Sequence, residues 1–388
     1  MNRINEMIRL QEYKNVKRVK LKDCCSAIFS GGTPLTSKEQ FYDGNIPWIR
    51  SGEIDFNRIF RSERNISQEG LENSSAKLIR PKSVVMAMTG ATVAKVATIE
   101  AEMAANQSVC ALEPNCLLDY RFLYFYLATK YLQLRNSAQG ALTSLNLERI
   151  KNIEIPLPPL NIQKEIVSIL DSFTSLIDKM KQEVEMRKKQ MEYYIDKFYG
   201  GDFDGMMRLA DIPGNSVAQF SDLGPIIRGK RFVRDDIRTV GQPCIHYGDM
   251  YTYYGTMAVT AKTFLERDFP KKMRYAHKGD VVIVGAGEND YDIGVGLVWM
   301  GEEPAAVHDA CYILKHHQIP MYISYYLRSN IYHQQLKKYV SSGKISSFSA
   351  EGLGKVYIPI QPEDKQRQIV SILDTFETYI SKLEKMIE

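Results

Sequence analysis

Residues 155–198 read IPLPPLNIQKEIVSILDSFTSLIDKMKQEVEMRKKQMEYYIDKF, a proline-rich entry followed by a long amphipathic pattern. A second copy, IPIQPEDKQRQIVSILDTFETYISKLEKMIE, spans residues 358–388. The two copies align without a gap at an offset of 203 residues and share the hexapeptide IVSILD. A period of this size is too long for a solenoid repeat. The sequence therefore predicts a duplicated module of one globular domain followed by one long helix.

Both copies carry an apolar stripe whose spacings alternate between four and three residues, which is typical of a coiled-coil seam. Pro158 and Pro159 forbid helix before them, because proline lacks a backbone N–H and its ring clashes with the preceding turn. About 38 helical residues at ~1.5 Å each predict a rod of roughly 57 Å. We expect the two helices to pair with each other in an antiparallel arrangement; the alternative is that each packs only on its own domain. The predicted seam residues are Ile166, Leu170, Phe173, Ile177, Ile369, Leu373, Phe376 and Ile380.

The segments between the repeated helices share one order of patterns. Residues 16–154 contain short strand-like runs, such as IPWI and SVVMAMTG, and one helical stretch, DYRFLYFYLATKYLQLRNSA. Residues 201–357 repeat this order with few identical side chains. The predicted fold class is α+β, with two globular α/β domains separated by two long antiparallel coiled-coil helices and a pseudo-two-fold internal repeat. The predicted segments are a helical segment at 1–15, domains at 16–154 and 201–357, and long helices at 155–200 and 358–388.

The N-terminal segment has a possible place in this repeat. Its sequence EMIRLQEY is similar to EMRKKQMEY at residues 185–193 when one gap is allowed. The second long helix stops at the position that aligns with residue 185. We therefore hypothesise that residues 1–15 supply the turns that the second helix lacks.

Composition limits the class of protein. The chain has 388 residues, 44% of them hydrophobic and 25% charged, and a net charge of +4 that is weak evidence for any nucleic-acid partner. No apolar run approaches the roughly 18 residues that a membrane span needs, and the N-terminus is too polar for a signal peptide. Six cysteines lie without metal-ligand spacing. We expect reduced thiols, a cytoplasmic location and no membrane partner.

The motifs of several enzyme classes are missing from the sequence. There is no GxxxxGK[ST] phosphate loop, no GxGxxG after a strand, no GxSxG elbow and no HExxH metal site. The Asn/Asp-Pro-Pro-aromatic motif of amino-methyltransferases is also absent. The sequence therefore predicts no catalytic, cofactor-binding or metal-binding residue, although scattered carboxylates could still form a nuclease centre.

Both domains place polar, aromatic and basic side chains next to predicted turns. Arg and Lys can bind phosphates or guanine, and amide or carboxylate side chains can bind adenine or cytosine edges. For some of them another interpretation stays open: Trp48 and Tyr253 as core aromatics, and Arg50 as a surface ion pair. The candidate DNA contacts are Thr33, Lys38, Trp48, Arg50, Ser51, Thr89, Lys95, Gln107, Arg228, Lys230, Arg231, His246, Tyr247, Tyr251, Tyr254, Lys271, Lys272, Glu288, His308 and Lys344.

The order of motifs resembles a known family. SGGTP, IPWIRSGEI, GATVAKVA and NQS are followed by the proline–helix element, a second divergent domain and a second proline–helix element. This order is similar to that of the specificity subunit of type I restriction–modification systems, over essentially the whole chain. In the second domain RGKR stands where the first has SGGT, and HDA where the first has NQS, so the family's frame residues carry over mainly to the first domain. The duplicated proline–helix element is the most specific part of the resemblance.

The resemblance implies a protein that recognises DNA without catalysis. Each domain would recognise one half of a bipartite target in double-stranded DNA, and the helices would fix the spacer between the halves. Two methylation subunits would bind to the chain, and restriction subunits would bind through them. S-adenosylmethionine, ATP and Mg would belong to those partners, and this chain would hold no cofactor. The alternatives are a self-contained DNA methyltransferase or nuclease, and a two-headed protein-binding scaffold.

Overall fold

The computed structural model describes residues 16–138, 144–269, 272–287, 293–341, 343 and 345–387. The predicted helical segment at 1–15 lies outside these residues, as does the hypothesis built on it. The chain divides into two compact units, Met1–Leu176 and Ile177–Glu388. The division falls inside the first long helix, whereas the sequence placed its domain boundaries at the ends of that helix.

The first unit is built of mixed strands and short helices. Its strands are β1 (Arg18–Lys20), β2 (Cys25–Ser30), β3 (Ile46–Ile49), β4 (Arg58–Ile59), β5 (Arg64–Ile66), β6 (Leu78–Ile79), β7 (Ser83–Ala87), β8 (Val96–Ile99), β9 (Met103–Ala105), β10 (Val109–Pro114) and β11 (Glu154–Pro156). Its helices are α1 (Leu21–Cys24), α2 (Gln68–Glu72), α3 (Tyr120–Thr129), α4 (Tyr131–Ala138), α5 (Leu147–Lys151) and the start of α6 (Leu160–Phe198). The predicted strand runs and helical stretch are all present, the latter as α3 and α4.

Three sheets hold the first unit together. Five strands lie in the order β2-β10-β7-β8-β4, four in the order β5-β3-β9-β6, and β1 pairs with β11. Alternate residues of a strand face opposite sides of a sheet, so β7 sends Val84 and Met86 toward helix α3 and Val85 toward the smaller sheet. All five residues of β7 are buried. A central sheet covered on both faces explains why its strands are almost wholly apolar.

The second unit contains the remaining elements. Its strands are β12 (Ser216–Gln219), β13 (Ile226–Arg228), β14 (Gln242–Ile245), β15 (Met257–Ala258), β16 (Thr263–Leu265), β17 (Tyr275–Ala276), β18 (Val281–Val284), β19 (Ala286–Gly287), β20 (Gly296–Trp299), β21 (Ala305–Val307), β22 (Cys311–Leu314), β23 (Ser346–Ser347) and β24 (Tyr357–Ile360). Its helices are α7 (Phe203–Ala210), α8 (Phe220–Leu223), α9 (Tyr247–Thr252), α10 (Pro320–Tyr326), α11 (Asn330–Leu336), α12 (Ala350–Gly354) and α13 (Glu363–Ile387), together with the second half of α6.

The second unit repeats the strand order of the first. Its larger sheets run β13-β22-β18-β20-β15 and β16-β14-β21-β17, β12 pairs with β24, and the short strands β19 and β23 pair with each other. Position by position this is the order of the first unit, although side chains differ. The proline-rich entries belong to the sheets, since Ile155 pairs with Val19 and Ile358 pairs with Ala218. The internal repeat predicted from the long helices therefore extends to the topology of both units.

Each repeated helix begins against its own unit through a buried glutamine. Gln163 donates from Nε2 to the Leu117 and Pro158 carbonyls and accepts the Asp119 N–H at 2.8 Å. Gln366, its partner in the repeat, accepts the Ile319 N–H at 3.2 Å and donates to the Gln361 carbonyl at 2.8 Å. Asp119 and Ile319 cap helices α3 and α10. The shared glutamine thus ties the long helix to the first turn of the helix beside it.

Both long helices have the predicted entry, and α6 has the predicted length of about 38 residues. Helix α6 has 39 residues and α13 has 25 in the described region. Both begin directly after a proline-containing strand, as the sequence predicts. Across the described ranges, none of the helices combines the length and apolar character that crossing a bilayer requires.

Candidate nucleic-acid interface

Three loops meet at one edge of the first unit because β3 and β9 run parallel and end side by side. Ile49 pairs with Ala105, and Asn106 donates its backbone N–H to the Ile49 carbonyl at 2.9 Å. The loop after β2 joins them, since Gly32 donates its N–H to the Ala105 carbonyl at 2.8 Å. We call this surface the loop edge of the first unit; it consists of residues 31–38, 50–53 and 106–108.

The second unit builds the same edge with the same backbone bonds. Strands β14 and β21 are parallel and pair Ile245 with Val307. His308 donates its N–H to the Ile245 carbonyl at 3.1 Å, and Lys230 donates its N–H to the Val307 carbonyl at 2.9 Å. The loop edge of the second unit consists of residues 229–234, 246–254 and 308–310. The two edges thus have equivalent backbones and different side chains.

A glycine is required at the base of each edge. A Cβ on Gly31 would lie 2.1 Å from the Ala105 carbonyl oxygen, and a Cβ on Gly229 would lie 2.1 Å from the His308 carbonyl oxygen. Real side chains do not approach a backbone atom so closely, so the loop can lie against the neighbouring strand only without a side chain. These glycines fix how closely the loop approaches the end of the neighbouring strand, and hence the position of the residues that follow them.

The first loop edge joins Thr33 to Gln107. The Thr33 hydroxyl donates to the Gln107 side-chain oxygen, and Gln107 is exposed. Lys38 is also exposed, with its Nζ 4.8 Å from the centre of the Phe41 ring. Trp48 is 4% exposed, and its indole N–H donates to the Gly32 carbonyl at 3.0 Å. Trp48 is thus a core aromatic that supports the glycine loop, whereas Thr33, Lys38 and Gln107 can be reached from solvent.

Arg50 of the first edge and Lys95 are each paired with a carboxylate. Arg50 contacts Glu63 at 2.5 Å, and Lys95 contacts Asp55 at 2.6 Å. Exposed pairs of this kind contribute about 0–1 kcal/mol, so either cation can exchange its carboxylate for a phosphate at small cost. Ser51 begins a short 3₁₀ turn, and its carbonyl accepts the Thr92 hydroxyl. Thr89 lies farther along the chain, in a β-bridge with Ser144.

The second loop edge contains a cluster of aromatic rings. His246 lies 4.5 Å from Tyr247, 4.8 Å from His308 and 6.0 Å from Phe232, measured between ring centres. Burial lowers the pKa of both histidines below the ordinary value, and the positive charges of Arg234 and Arg231 add to this for His246 and His308 respectively. Both rings are therefore neutral near pH 7.

Cations and a tyrosine surround this cluster. Arg228 donates from Nε to the Asp309 carbonyl at 2.8 Å. Lys230, Arg231 and Lys272 are exposed. The Tyr254 hydroxyl accepts the Lys262 N–H at 2.7 Å, and burial raises the pKa of Tyr254 to about 12. Tyr254 is therefore fixed and neutral, while the exposed cations are available to phosphates.

Several predicted contacts cannot be placed. Lys271, Glu288 and Lys344 lie outside the described residues, and for Tyr251 only its position in α9 is described. Tyr253, which the sequence left open as a core aromatic, is 58% exposed, and the Lys262 Nζ lies 5.0 Å from the centre of its ring. Tyr253 is therefore a surface residue.

Asn106 and Phe232, which were not predicted as site residues, complete the edges. Asn106 accepts the Ser108 N–H through its side-chain oxygen at 3.2 Å, just as His308 accepts the Ala310 N–H through Nδ1 at 3.1 Å. Phe232 is fully buried under the second edge. The alignment of NQS with HDA carried the information that Asn106 and His308 are equivalent. Nothing in the sequence pattern distinguished Phe232 from other apolar residues.

In the second unit, α13 pairs with the second half of α6. Lys188 contacts Glu384 at 2.8 Å, and the Tyr194 and Phe376 rings lie 5.7 Å apart. The contacts advance along α6 from Lys188 to Tyr194 while they move back along α13 from Glu384 to Phe376, so the two helices run antiparallel. Ile369, Leu373 and Ile380 are buried in the same core as residues of α6, and Phe376 is partly buried there; the α6 members are Val184, Met191 and Ile195.

The predicted seam departs from the structure on the α6 side. Ile166 packs on the core of the first unit, Phe173 is 59% exposed, and Leu170 and Ile177 are partly buried. In the register that sets Tyr194 against Phe376, the last described residue of α13 comes level with about Val184, so the described part of α13 lies alongside the second half of α6.

A family model matches almost the whole chain. The model is described as "Type I restriction modification DNA specificity domain" and matches residues 13–186 and again 214–388. The chain belongs to this family. Each specificity domain contains one loop edge and most or all of one repeated helix.

Proteins similar to these specificity domains include named specificity subunits. The chain is 30% identical to a type I restriction enzyme specificity subunit of Escherichia coli over 182 residues, which are 44% of this chain and 45% of that protein. It is 29% identical to a putative type I restriction enzyme specificity subunit of Haemophilus influenzae over 301 residues, 72% of this chain and 70% of that protein. The chain thus matches under half the length of the first relative.

Solved structures share the fold of the two specificity domains. The S subunit of a type I restriction–modification system from M. genitalium superposes with a TM-score of 0.52 and 16% identity, covering 96% of this chain and 93% of that one. A chain from a structure of a type I R-M system gives a TM-score of 0.62 and 17% identity, covering 96% and 92%. At this identity the likeness establishes the fold.

Proposed function

We propose that this chain is the DNA sequence-recognition subunit of a type I restriction–modification complex. Each unit binds one half of a bipartite target in double-stranded DNA through the major groove. The observation that carries the proposal is the pair of loop edges, which share backbone hydrogen bonds and differ in side chains. A constant backbone with different donors and acceptors suits two sites that recognise different base sequences.

The side chains of the two edges support different tasks. Lys230, Arg231 and Lys272 are exposed cations that suit phosphate oxygens. Thr33 and Gln107 offer neutral hydrogen-bonding groups that suit base edges. Phosphate contacts position a protein on the duplex, whereas contacts to base edges supply specificity.

The repeated helices hold the units and the partners of the complex. Apolar side chains on both helices remain exposed, among them Phe173, Leu176, Ile372 and Tyr379. They support docking of two methylation subunits, with restriction subunits bound through them. S-adenosylmethionine, ATP and Mg belong to those partners, which supply adenine methylation and ATP-dependent cleavage. Helix length sets the spacer between the half-sites, and the complex works in the cytoplasm.

A domain exchange tests the proposal. Residues 16–150 are replaced by the corresponding domain of another specificity subunit, and the chain is expressed with its methylation subunits. Sequencing the methylated genome is expected to show that one half of the target changes while the other half and the spacer stay the same. A change in both halves, or in neither, would contradict separate recognition by the two units.

The isolated chain tests the alternative that this protein is itself a methyltransferase or nuclease. Incubated with DNA and either S-adenosylmethionine or Mg²⁺, it is expected to neither methylate nor cut. Its net charge of +4 predicts weak binding that falls with salt, since phosphate contacts release counterions. Methylation by the chain alone would indicate a self-contained methyltransferase, and no DNA binding even with partners would indicate a protein-binding scaffold.

A further inference from the structure

The two histidines of the second loop edge are held by backbone amides. His246 follows β14 and caps helix α9, where its Nδ1 accepts the Gly248 N–H at 3.2 Å. A ring nitrogen that accepts a hydrogen bond carries no proton. The proton of a neutral His246 therefore sits on Nε2, and burial lowers the pKa of His246 so that this neutral form is the one present at pH 7.

The other histidine uses both nitrogens inside the protein. The Nδ1 of His308 accepts the Ala310 N–H at 3.1 Å, and its side chain is 12% exposed. A hydrogen bond with the Phe232 backbone raises the pKa of His308, although burial and the neighbouring His246 have the larger, opposite effect. His308 is therefore a support for the edge. By contrast, Nε2 of His246 has no hydrogen-bond partner in the part of the chain that the structure describes.

The surroundings leave only one part of His246 for a ligand. The rings of Tyr247 and His308 lie at 4.5 and 4.8 Å from its ring centre. The charged groups that act on it are Asp249 and Arg234. With its ring packed among these groups and Nδ1 occupied, the imidazole presents a single N–H donor and no free lone pair. Exposed Lys230 of the same loop edge is the better phosphate ligand, because a neutral ring adds little attraction for an anion.

We propose that His246 donates its Nε2–H to a base acceptor in the major groove, which is purine N7, guanine O6 or thymine O4, in the half-site bound by the second unit. The proposal rests on the proposed function and specifies the group that this unit recognises. Cytosine N4 and adenine N6 are donors in the major groove and would face the His246 N–H without forming a hydrogen bond.

The first unit supports the same assignment. Arg50 occupies the position equivalent to His246, directly after the parallel strand β3. A guanidinium has donors and no acceptor. Both units thus place a side chain that can only donate at this point of the edge, while the remaining loop residues differ.

Modified DNA tests the proposal with the chain assembled with its methylation subunits. After the target is known, each purine of both half-sites is replaced by its 7-deaza analogue, guanines also by 2-aminopurine, which lacks O6, and thymines by 5-methyl-2-pyrimidinone, which lacks O4. One position in the second half-site is expected to lose about tenfold or more in affinity. With His246→Phe, binding to unmodified DNA falls by a similar factor and the modified base has no further effect. His317→Phe, which removes an exposed histidine outside the loop edges, keeps the wild-type pattern.

Other outcomes overturn the proposal. If every base substitution acts equally on wild type and His246→Phe, His246 does not bind a base edge. The same conclusion follows if the variant becomes insensitive only to methylphosphonate linkages, which remove a phosphate charge, because His246 would then contact the backbone. Nitrogen-15 NMR of the free chain is expected to show the proton of His246 on Nε2; a proton on Nδ1 would refute the assignment without any DNA. Failure of the proposed function is distinguishable, because the wild-type complex would then show no preference for any sequence.

Discussion

Gly31 and Gly229 lie at the base of the two loop edges and set the positions of the loop residues that follow them. In each unit the glycine lies against a carbonyl of the neighbouring loop or strand end, with no space for a Cβ. Neither glycine is explained by a tight turn. Their role comes from close backbone approach, which becomes visible only when the parallel strand is placed next to the loop.

Replacing Gly31 with alanine is expected to displace the loop after β2. The new Cβ would lie 2.1 Å from the Ala105 carbonyl oxygen, so either the loop or the strand end must shift. We expect a loss of about 1–3 kcal/mol in the free energy of unfolding of the first unit, together with loss of recognition of one half-site. Urea unfolding and methylation of the wild-type target measure the two effects.

Gly52→Ala is the matched control. Gly52 belongs to the same loop edge, but a Cβ there meets no atom within 4 Å. The free energy of unfolding of the Gly52→Ala variant is expected to stay within about 0.5 kcal/mol of wild type. Equal losses for Gly31→Ala and Gly52→Ala would show that close backbone approach does not explain the first glycine.

Among the elements, the long helices were predicted from the sequence in their general features but not in their pairing. Their proline entry, length and antiparallel direction followed from residues 155–198 and 358–388, because an apolar period is a local property of the sequence. The apolar period did not predict which turns of α6 pair with which turns of α13. The position of α13 depends on tertiary contacts such as that of Gln366, which accepts the N–H of Ile319, 47 positions away in the chain.

The same distinction holds for the loop edges. The turn positions of Thr33, Arg50 and His246 could be predicted from glycine and proline next to strand-like runs. The carboxylate partner of Arg50 could not be chosen from sequence, because Glu63 reaches it only through the pairing of β3 with β5. The tautomer of His246 likewise depends on the single backbone amide that meets its ring.

Leu373→Asp tests the helix pairing. Leu373 is fully buried in the core shared by α6 and α13, so an aspartate there would place an unpaired charge among apolar side chains. We expect the second unit to lose roughly 3–5 kcal/mol or fail to fold. The neighbouring Ile372 is 44% exposed, and Ile372→Asp is expected to change stability little. Thermal unfolding of both variants measures the difference; similar melting temperatures would contradict the burial of this face.

At the scale of the whole molecule, histidine is distributed unevenly. All six histidines lie in the second unit and none in the first. Burial lowers the pKa of four of them, His246, His308, His316 and His333. In the unfolded chain each would titrate near its ordinary value of about 6.5. Below that pH the unfolded state binds protons that the folded state does not, so stability is lost as pH falls.

The second unit is therefore expected to weaken in mild acid before the first. The two tryptophans provide separate probes, since Trp48 is buried in the first unit and Trp299 in the second. In Trp48→Phe and Trp299→Phe variants the remaining tryptophan reports one unit. Between pH 7.5 and 5.5 the urea midpoint of the second unit is expected to fall, while that of the first changes little. Parallel falls would contradict a histidine origin.

Helix α6 also has a consequence for the time course of synthesis. Its first half can pack as soon as the first unit is complete, but Val184, Met191 and Ile195 pack with α13. That helix begins at Glu363, roughly 165 residues after α6 ends at Phe198. At about 5–20 residues per second the ribosome needs roughly 8–33 s to deliver it. For that interval every nascent chain carries an apolar stripe without its helix partner, open to chaperones or to a second nascent copy.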